Sequence, residues 1–281
     1  MKQRVLTALI LAPLVVAGIF FLPFSAFMLA LFALTVVGFW EWSQFTRPSH
    51  RVTETILMSS VLLLSVLVVP TDLDALQRIG SAHKAILAVG AVWWLFASWL
   101  VITYPASNRK VAATTAIKQC YGLLTLLPFF WSMLMLRAYD YHVDSYNGAQ
   151  LVMLVCFLVW AADSGAYFAG RAFGRRKMAP AVSPNKTMEG LFGGIVAAII
   201  VTGLVAMAFG IPFKGPFSLL VIAMITVVIS VMGDLVESMF KRVSGIKDSG
   251  RILPGHGGIL DRIDSLTAAL PVFALLYLWL L

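Results

Sequence analysis

Asp261 and Asp264 stand three residues apart, so on a helix both carboxylates lie on one face, as a hard metal ion needs. They close a stretch, residues 238–264, that carries five basic residues, three aspartates, one histidine and five glycines in a chain that is 60% hydrophobic. Asp234 and Glu237 repeat the spacing at the end of the preceding apolar run. If the two runs are antiparallel, the four acids meet at one depth. Two readings stay open. The acids bind Mg2+, which takes one or two carboxylates together with water and substrate phosphates, or they neutralise Lys241, Arg242 and Arg262 in a helix-end ion-pair network. Acids within or beside apolar spans favour the first reading.

Between the two pairs, Pro254 leads into Gly255, His256, Gly257 and Gly258, a turn whose backbone N–H groups can approach an anion closely. His256 is open to three roles: general base, phosphate donor or plain loop residue. A second polar cluster starts with Asp163, Ser164 and Tyr167 and runs through Arg171, Arg175, Arg176 and Lys177 to the stretch SPNKTMEG. That stretch holds Ser183, Pro184, Lys186, Thr187 and Glu189 at an expected helix start, where backbone dipoles and Lys186 together favour phosphate. It is not a P-loop, because the GxxxxGK[ST] spacing is absent. The arginines and Lys177 are equally well explained as topological anchors.

These clusters need a frame, and the composition says which kind. A mean hydropathy of +0.91 with only 12% charged residues over 281 positions exceeds what a soluble core uses. A water-soluble enzyme is excluded, and the net charge of +8 reports topology and anionic headgroups rather than nucleic acid. Cys120 and Cys156 lie in apolar runs without paired spacing, so they read as packing residues. About nine runs are long enough to span, near residues 5–22, 24–45, 54–70, 85–104, 115–136, 150–170, 189–209, 216–238 and 264–281. The first reads as a retained span rather than a cleaved leader. With a cytoplasmic N-terminus, all of the 21 basic residues except Arg78, Lys84, Arg137 and Lys214 fall on the cytoplasmic side, as the positive-inside rule requires.

The fold expected is therefore an all-α polytopic membrane protein with a polar catalytic cavity facing the cytoplasm. Residues 1–140, about five spans, read as scaffold. Residues 141–281, about four spans with cytoplasmic loops at 171–188 and 239–263, read as the catalytic region. Glu41 is the polar exception inside the scaffold half. The eight tryptophans read as interfacial anchors and packing residues.

At these residues the chain resembles the bacterial phosphatidate cytidylyltransferases, or CDP-diacylglycerol synthases. The C-terminal signature of that family is filled in order by Ser238, Lys241, Arg242, Lys247, Asp248, His256, Gly257, Gly258, Asp261, Arg262 and Asp264. Asp163, the GRAFGRRK run and SPNKTMEG are similar to its second polar block. The resemblance implies a bacterial inner-membrane enzyme, dimeric, that transfers the cytidylyl group of CTP to phosphatidate and releases pyrophosphate. It also implies an Mg2+ requirement, with Asp234, Asp261 and Asp264 near a metal centre that leaves room for a monovalent cation. On this reading Lys186, Lys241 and Arg262 cradle phosphate oxygens. Asp248 and His256 serve binding or loop order, because a phosphate nucleophile needs no base.

Two other classes compete. One is a different lipid-phosphate enzyme, such as a cytidylyltransferase acting on an isoprenoid-ether lipid or a polyprenol kinase; the DGxxAR opening of the CDP-alcohol phosphotransferases is absent. The other is a divalent-cation transporter, which should carry polar residues through the bilayer depth rather than at one face.

Overall fold

A bilayer core offers backbone N–H and C=O groups no partners, so an apolar chain that crosses it folds into helices. The computed structural model describes residues 2–280. Met1, Leu281 and the side chains of residues 2–6, 8 and 280 lie outside the described set, and with them the end of the last expected span and the charges of Lys2 and Arg4. Along the chain run α1 (Lys2–Phe21), α2 (Phe24–Thr46), α3 (Arg51–Val68), α4 (Leu73–Arg78), α5 (Ser81–Ile102), α6 (Asn108–Val111), α7 (Thr115–Ala138) and α8 (Ser145–Phe173). A hairpin of β1 (Lys177–Ala179) and β2 (Ser183–Thr187) follows, then α9 (Met188–Phe209), α10 (Pro216–Val243) and α11 (Leu260–Leu280). Among the described residues, eight helices are long and apolar enough to cross a membrane: α2, α3 with the turn before it, α5, α7, α8, α9, α10 and α11. The apolar part of α1, Leu9–Phe21, is shorter.

The helices outrun the apolar runs that announce them. α8 begins at Ser145, capped by Asp144, whose carboxylate accepts from the Tyr146 N–H at 2.8 Å, several residues before the run expected from 150. α10 continues past residue 238 to Val243, and α11 starts at Leu260 rather than 264. Hydropathy marks only the lipid-facing length of a helix, whereas the polar turns at its ends persist wherever caps and packing satisfy them. The expected loop at 171–188 likewise holds the antiparallel hairpin, with Lys177 opposite Thr187 and Ala179 opposite Ser183.

α7 and α11 are the most enclosed helices, while α3 and α9 expose most of their surface. An aromatic core joins α2, α7 and α10 through Trp42, Tyr121 and Phe240, with the Trp42 and Phe240 rings 5.0 Å apart. Trp42, Trp94 and Trp131 are fully buried rather than interfacial, and each indole N–H finds an acceptor: the Lys118 carbonyl, the Thr267 carbonyl and the Ser65 hydroxyl.

Small residues let the last helices approach closely, since in lipid the packing itself drives association. A Cβ on Gly194 of α9 would lie 2.7 Å from the Ala162 carbonyl of α8. A Cβ on Gly233 of α10 would lie 2.7 Å from the Asp264 carbonyl of α11 and 2.9 Å from Ala268 Cβ. Gly233→Ala is therefore expected to destabilise the fold by about 1–3 kcal/mol and to lower activity by displacing α11 at the level of Asp264. Thermal unfolding and turnover of the detergent-extracted variant check this; a wild-type midpoint would show that the crossing has room for a methyl group.

Candidate active site

The antiparallel pairing of α10 and α11 brings the C-terminal turns of one against the N-terminal turns of the other, and two polar groups form there. In the first, Lys241 Nζ lies 2.8 Å from Asp261 Oδ1 and 3.4 Å from Glu237 Oε1. All three side chains are nearly enclosed: 13% exposed for Lys241, 5% for each acid. Asp261 Oδ2 also accepts from the backbone N–H groups of Ser249, at 2.9 Å, and Gly258, at 2.7 Å. Gly257 adopts φ +87°, a conformation side chains resist, and a Cβ there would press on Asp261 Oδ2 at 2.7 Å. The glycine turn thus wraps the Asp261 carboxylate.

In the second group, Lys186 Nζ lies 2.6 Å from Asp234 Oδ2, and Ser238 Oγ donates to Asp234 Oδ1 at 3.2 Å. Strand β2 carries Lys186 to this place. Asp163 of α8 is near enough to Lys186 and Asp234 to feel both charges. Asp264 links the groups, close enough to interact with both Asp234 and Glu237.

The spacing of Asp261 and Asp264 suggests one ligand pair, but their surroundings differ. Asp261 is satisfied by an ammonium and two amides. Glu237 faces Asp264 with both of its carboxylate oxygens buried and without a hydrogen-bond donor. Among the described residues no three His, Cys, Asp or Glu side chains converge into a ready-made metal cage. The carboxylates of Glu237 and Asp264, which interact with each other, and of Asp234, which interacts with Asp264, nevertheless offer oxygen donors of the type a hard divalent cation takes. Two acids buried face to face are costly until a cation or a proton comes between them.

The remaining residues singled out from sequence divide clearly. Lys247, Asp248, His256, Gly257 and Arg262 line a cavity of about 740 Å³ beside the glycine turn. His256 is half-buried, with Nδ1 lacking a partner. Others hold the hairpin. Thr187 Oγ1 caps α9 by accepting from the Gly190 N–H at 3.1 Å. Glu189 accepts from the Arg175 and Arg176 N–H groups at 2.9 and 3.2 Å, and Arg242 Nε donates to the Val182 carbonyl at 3.2 Å. Tyr167, exposed, accepts from Arg171 at 3.2 Å; Ser183 and Lys177 sit on the hairpin strands.

Sequence reasoning placed Glu41 with the scaffold. It is wholly buried, and its carboxylate accepts from the N–H groups of Ile259, at 3.0 Å, and Leu260, at 2.6 Å, where α11 begins. A lone acid inside an apolar span was the available signal; its partners lie more than 200 residues away in the chain.

The paired lysines and acids thus gather at one end of a bundle of long apolar helices. The profile of the cytidylyltransferase family matches residues 2–280. The chain belongs to the cytidylyltransferase family. This cytidylyltransferase is 44% identical over 289 residues to the phosphatidate cytidylyltransferase of Haemophilus influenzae, with both chains covered completely. It is 42% identical over 279 residues to the phosphatidate cytidylyltransferase of Pseudomonas aeruginosa, covering 99% of this chain and 97% of the relative. Against the phosphatidate cytidylyltransferase of Bacillus subtilis the identity is 32% over 275 residues, covering 96% and 95%. The cytidylyltransferase is thus a nucleotidyltransferase of the membrane, using CTP and a lipid acceptor.

Proposed function

We propose that the chain converts CTP and phosphatidate into CDP-diacylglycerol and pyrophosphate in the bacterial cytoplasmic membrane, with the α10–α11 site facing the cytosol. The observation that carries this reading is the meeting of Lys186, Asp234, Lys241 and Asp261 at the polar end of the bundle, beside the cavity lined by Lys247 and Arg262. The full-length likeness to phosphatidate cytidylyltransferases supports the acceptor. The distribution of basic residues supports the orientation.

One acceptor oxygen of the lipid phosphate attacks the α-phosphorus of CTP, and the bond from that phosphorus to the oxygen bridging to the β-phosphate breaks. The electron pair leaves with pyrophosphate. The attacking phosphate is already ionised at neutral pH, so no side chain has to remove a proton, and His256 and Asp248 serve binding and loop order. Lys186 and Lys241, each fixed by a carboxylate, offset charge on the phosphates from two sides. Arg262, exposed at the cavity, reaches those that remain. Asp234, Glu237 and Asp264, with Asp261 adjacent, would hold Mg2+. Bound there, the ion neutralises phosphate charge that the lysines leave uncovered. A monovalent cation as second occupant and a homodimeric assembly complete the reading.

Purified protein given CTP labelled separately on the α- and γ-phosphates, with phosphatidate in mixed micelles, tests it. Label from the α-phosphate in a CDP-lipid together with free pyrophosphate is expected. Transfer of the γ-phosphate would make the protein a lipid kinase, and no transfer would leave ion transport.

A further inference from the structure

The N–H groups in the first turn of a helix have no partners within it, and at the start of α11, where Leu260 is buried, they would otherwise be left bare. Glu41, near the C-terminal end of α2 and outside every motif of the site, fills that need. Oε1 accepts from the Ile259 N–H at 3.0 Å and Oε2 from the Leu260 N–H at 2.6 Å. Ser249 Oγ donates to the same Oε2 at 3.3 Å and accepts from the Asp261 N–H at 3.3 Å. Gln44, one turn along α2, donates to the Ser249 carbonyl at 2.5 Å. The fit around the carboxylate is close: a Cβ on Gly258 would stand 2.5 Å from Glu41 Oε2, and one on Gly250 would also collide with the carboxylate.

We propose that Glu41 is a positioning residue of the transfer reaction: through Ser249 and the first amides of α11 it sets the orientation of Asp261, and with it the Lys241 ammonium. The chain of contacts runs from Glu41 to Ser249 and then to both the amide and the carboxylate of Asp261. Gly258, pressed against Glu41 on one side, supplies its N–H to Asp261 on the other. A buried anion at a helix N-terminus also gains from the helix dipole, so the carboxylate is held in place by the same groups it orders. Glu41 touches neither lysine of the site; its effect passes through the loop.

The role rests on the cytidylyl-transfer reading, and the test separates the two. Glu41→Gln keeps the shape but turns one acceptor into an NH2 group facing an N–H donor. Its kcat is expected to fall by about 100-fold, the scale of a 1 Å misplacement, while the KM values for CTP and phosphatidate move by less than about threefold. Amide hydrogen exchange is expected to quicken across residues 246–262 and nowhere else. Glu41→Asp, which restores the charge one methylene short, is expected to recover part of kcat. A wild-type kcat in Glu41→Gln overturns the proposal, as does a fall accompanied by faster exchange in every helix, which would make Glu41 a residue of general stability. If Glu41→Gln cannot be extracted folded, Ser249→Ala cuts the same link more gently; a loss of about tenfold in kcat is expected, and an unchanged kcat overturns the proposal. Wild-type protein that makes no CDP-lipid would defeat the functional reading alone, leaving the exchange data to decide the clamp.

Discussion

Asp264→Asn is expected to abolish cytidylyl transfer, with kcat lower by about 10³-fold or more, in a protein that unfolds at the wild-type temperature or above it. Both halves follow from one contact. Asp264 meets Glu237 in a place where both Glu237 oxygens lack donors, so two acids oppose each other, with Lys241 at 3.4 Å the ammonium that faces Glu237. Asparagine removes one acid and offers Glu237 an N–H. The site then loses one of the oxygen ligands proposed for Mg2+, while the fold loses a repulsion. Substantial retained turnover would remove Asp264 from the metal role. A markedly lower thermal midpoint would show that the pair of acids stabilises the fold instead of opposing it.

Lys241→Met is expected to fail in the opposite way, losing activity and stability together. Its ammonium serves Asp261 at 2.8 Å and Glu237 at 3.4 Å, and both acids are almost wholly enclosed. Deleting one partner of a buried ion pair leaves the other charge without compensation, at a cost of about 3 kcal/mol or more. Methionine fills the volume, so the loss would come from charge rather than from a hole. Turnover should become undetectable, and unfolding in detergent should shift to lower denaturant. Lys241→Arg, keeping the charge in a broader group, should restore stability more than rate. Equal thermal midpoints for wild type and Lys241→Met would show that the acids are neutralised by something other than this lysine.

The contrast between these variants marks how far the sequence could be read. The spacing of Asp234, Glu237, Asp261 and Asp264 is a helical one, and α10 and α11 place all four at one depth. What the spacing could not say is which acid would be satisfied. That depends on Ser249 and Gly258 folding back over Asp261 and giving Glu237 no N–H donor, a matter of loop conformation rather than period. The apolar runs announced the helices because lipid demands them. They did not announce that α10 would carry Lys241 and Arg242 on a continuing helix, since those turns are polar and are held by Asp261 and the hairpin. The hairpin itself left no pattern: β1 and β2 are short, contain Pro184 and Asn185, and exist because Glu189 and Arg242 pin them to helix ends. Lys186 was legible as a candidate for phosphate by type, but its seat on Asp234 required the tertiary structure. Glu41 was visible as an oddity and nothing more, because a local reading cannot join α2 to residues 249–260.

That junction bears on how such a chain can change over generations. Most of the first helices look exchangeable, as greasy segments generally do, yet α2 carries a carboxylate that is fitted closely to a distant loop. A chimaera made by recombining the front of one relative with the back of another would inherit its chemistry from the back and its alignment from the front. Mismatched parents would give well-inserted proteins that work poorly.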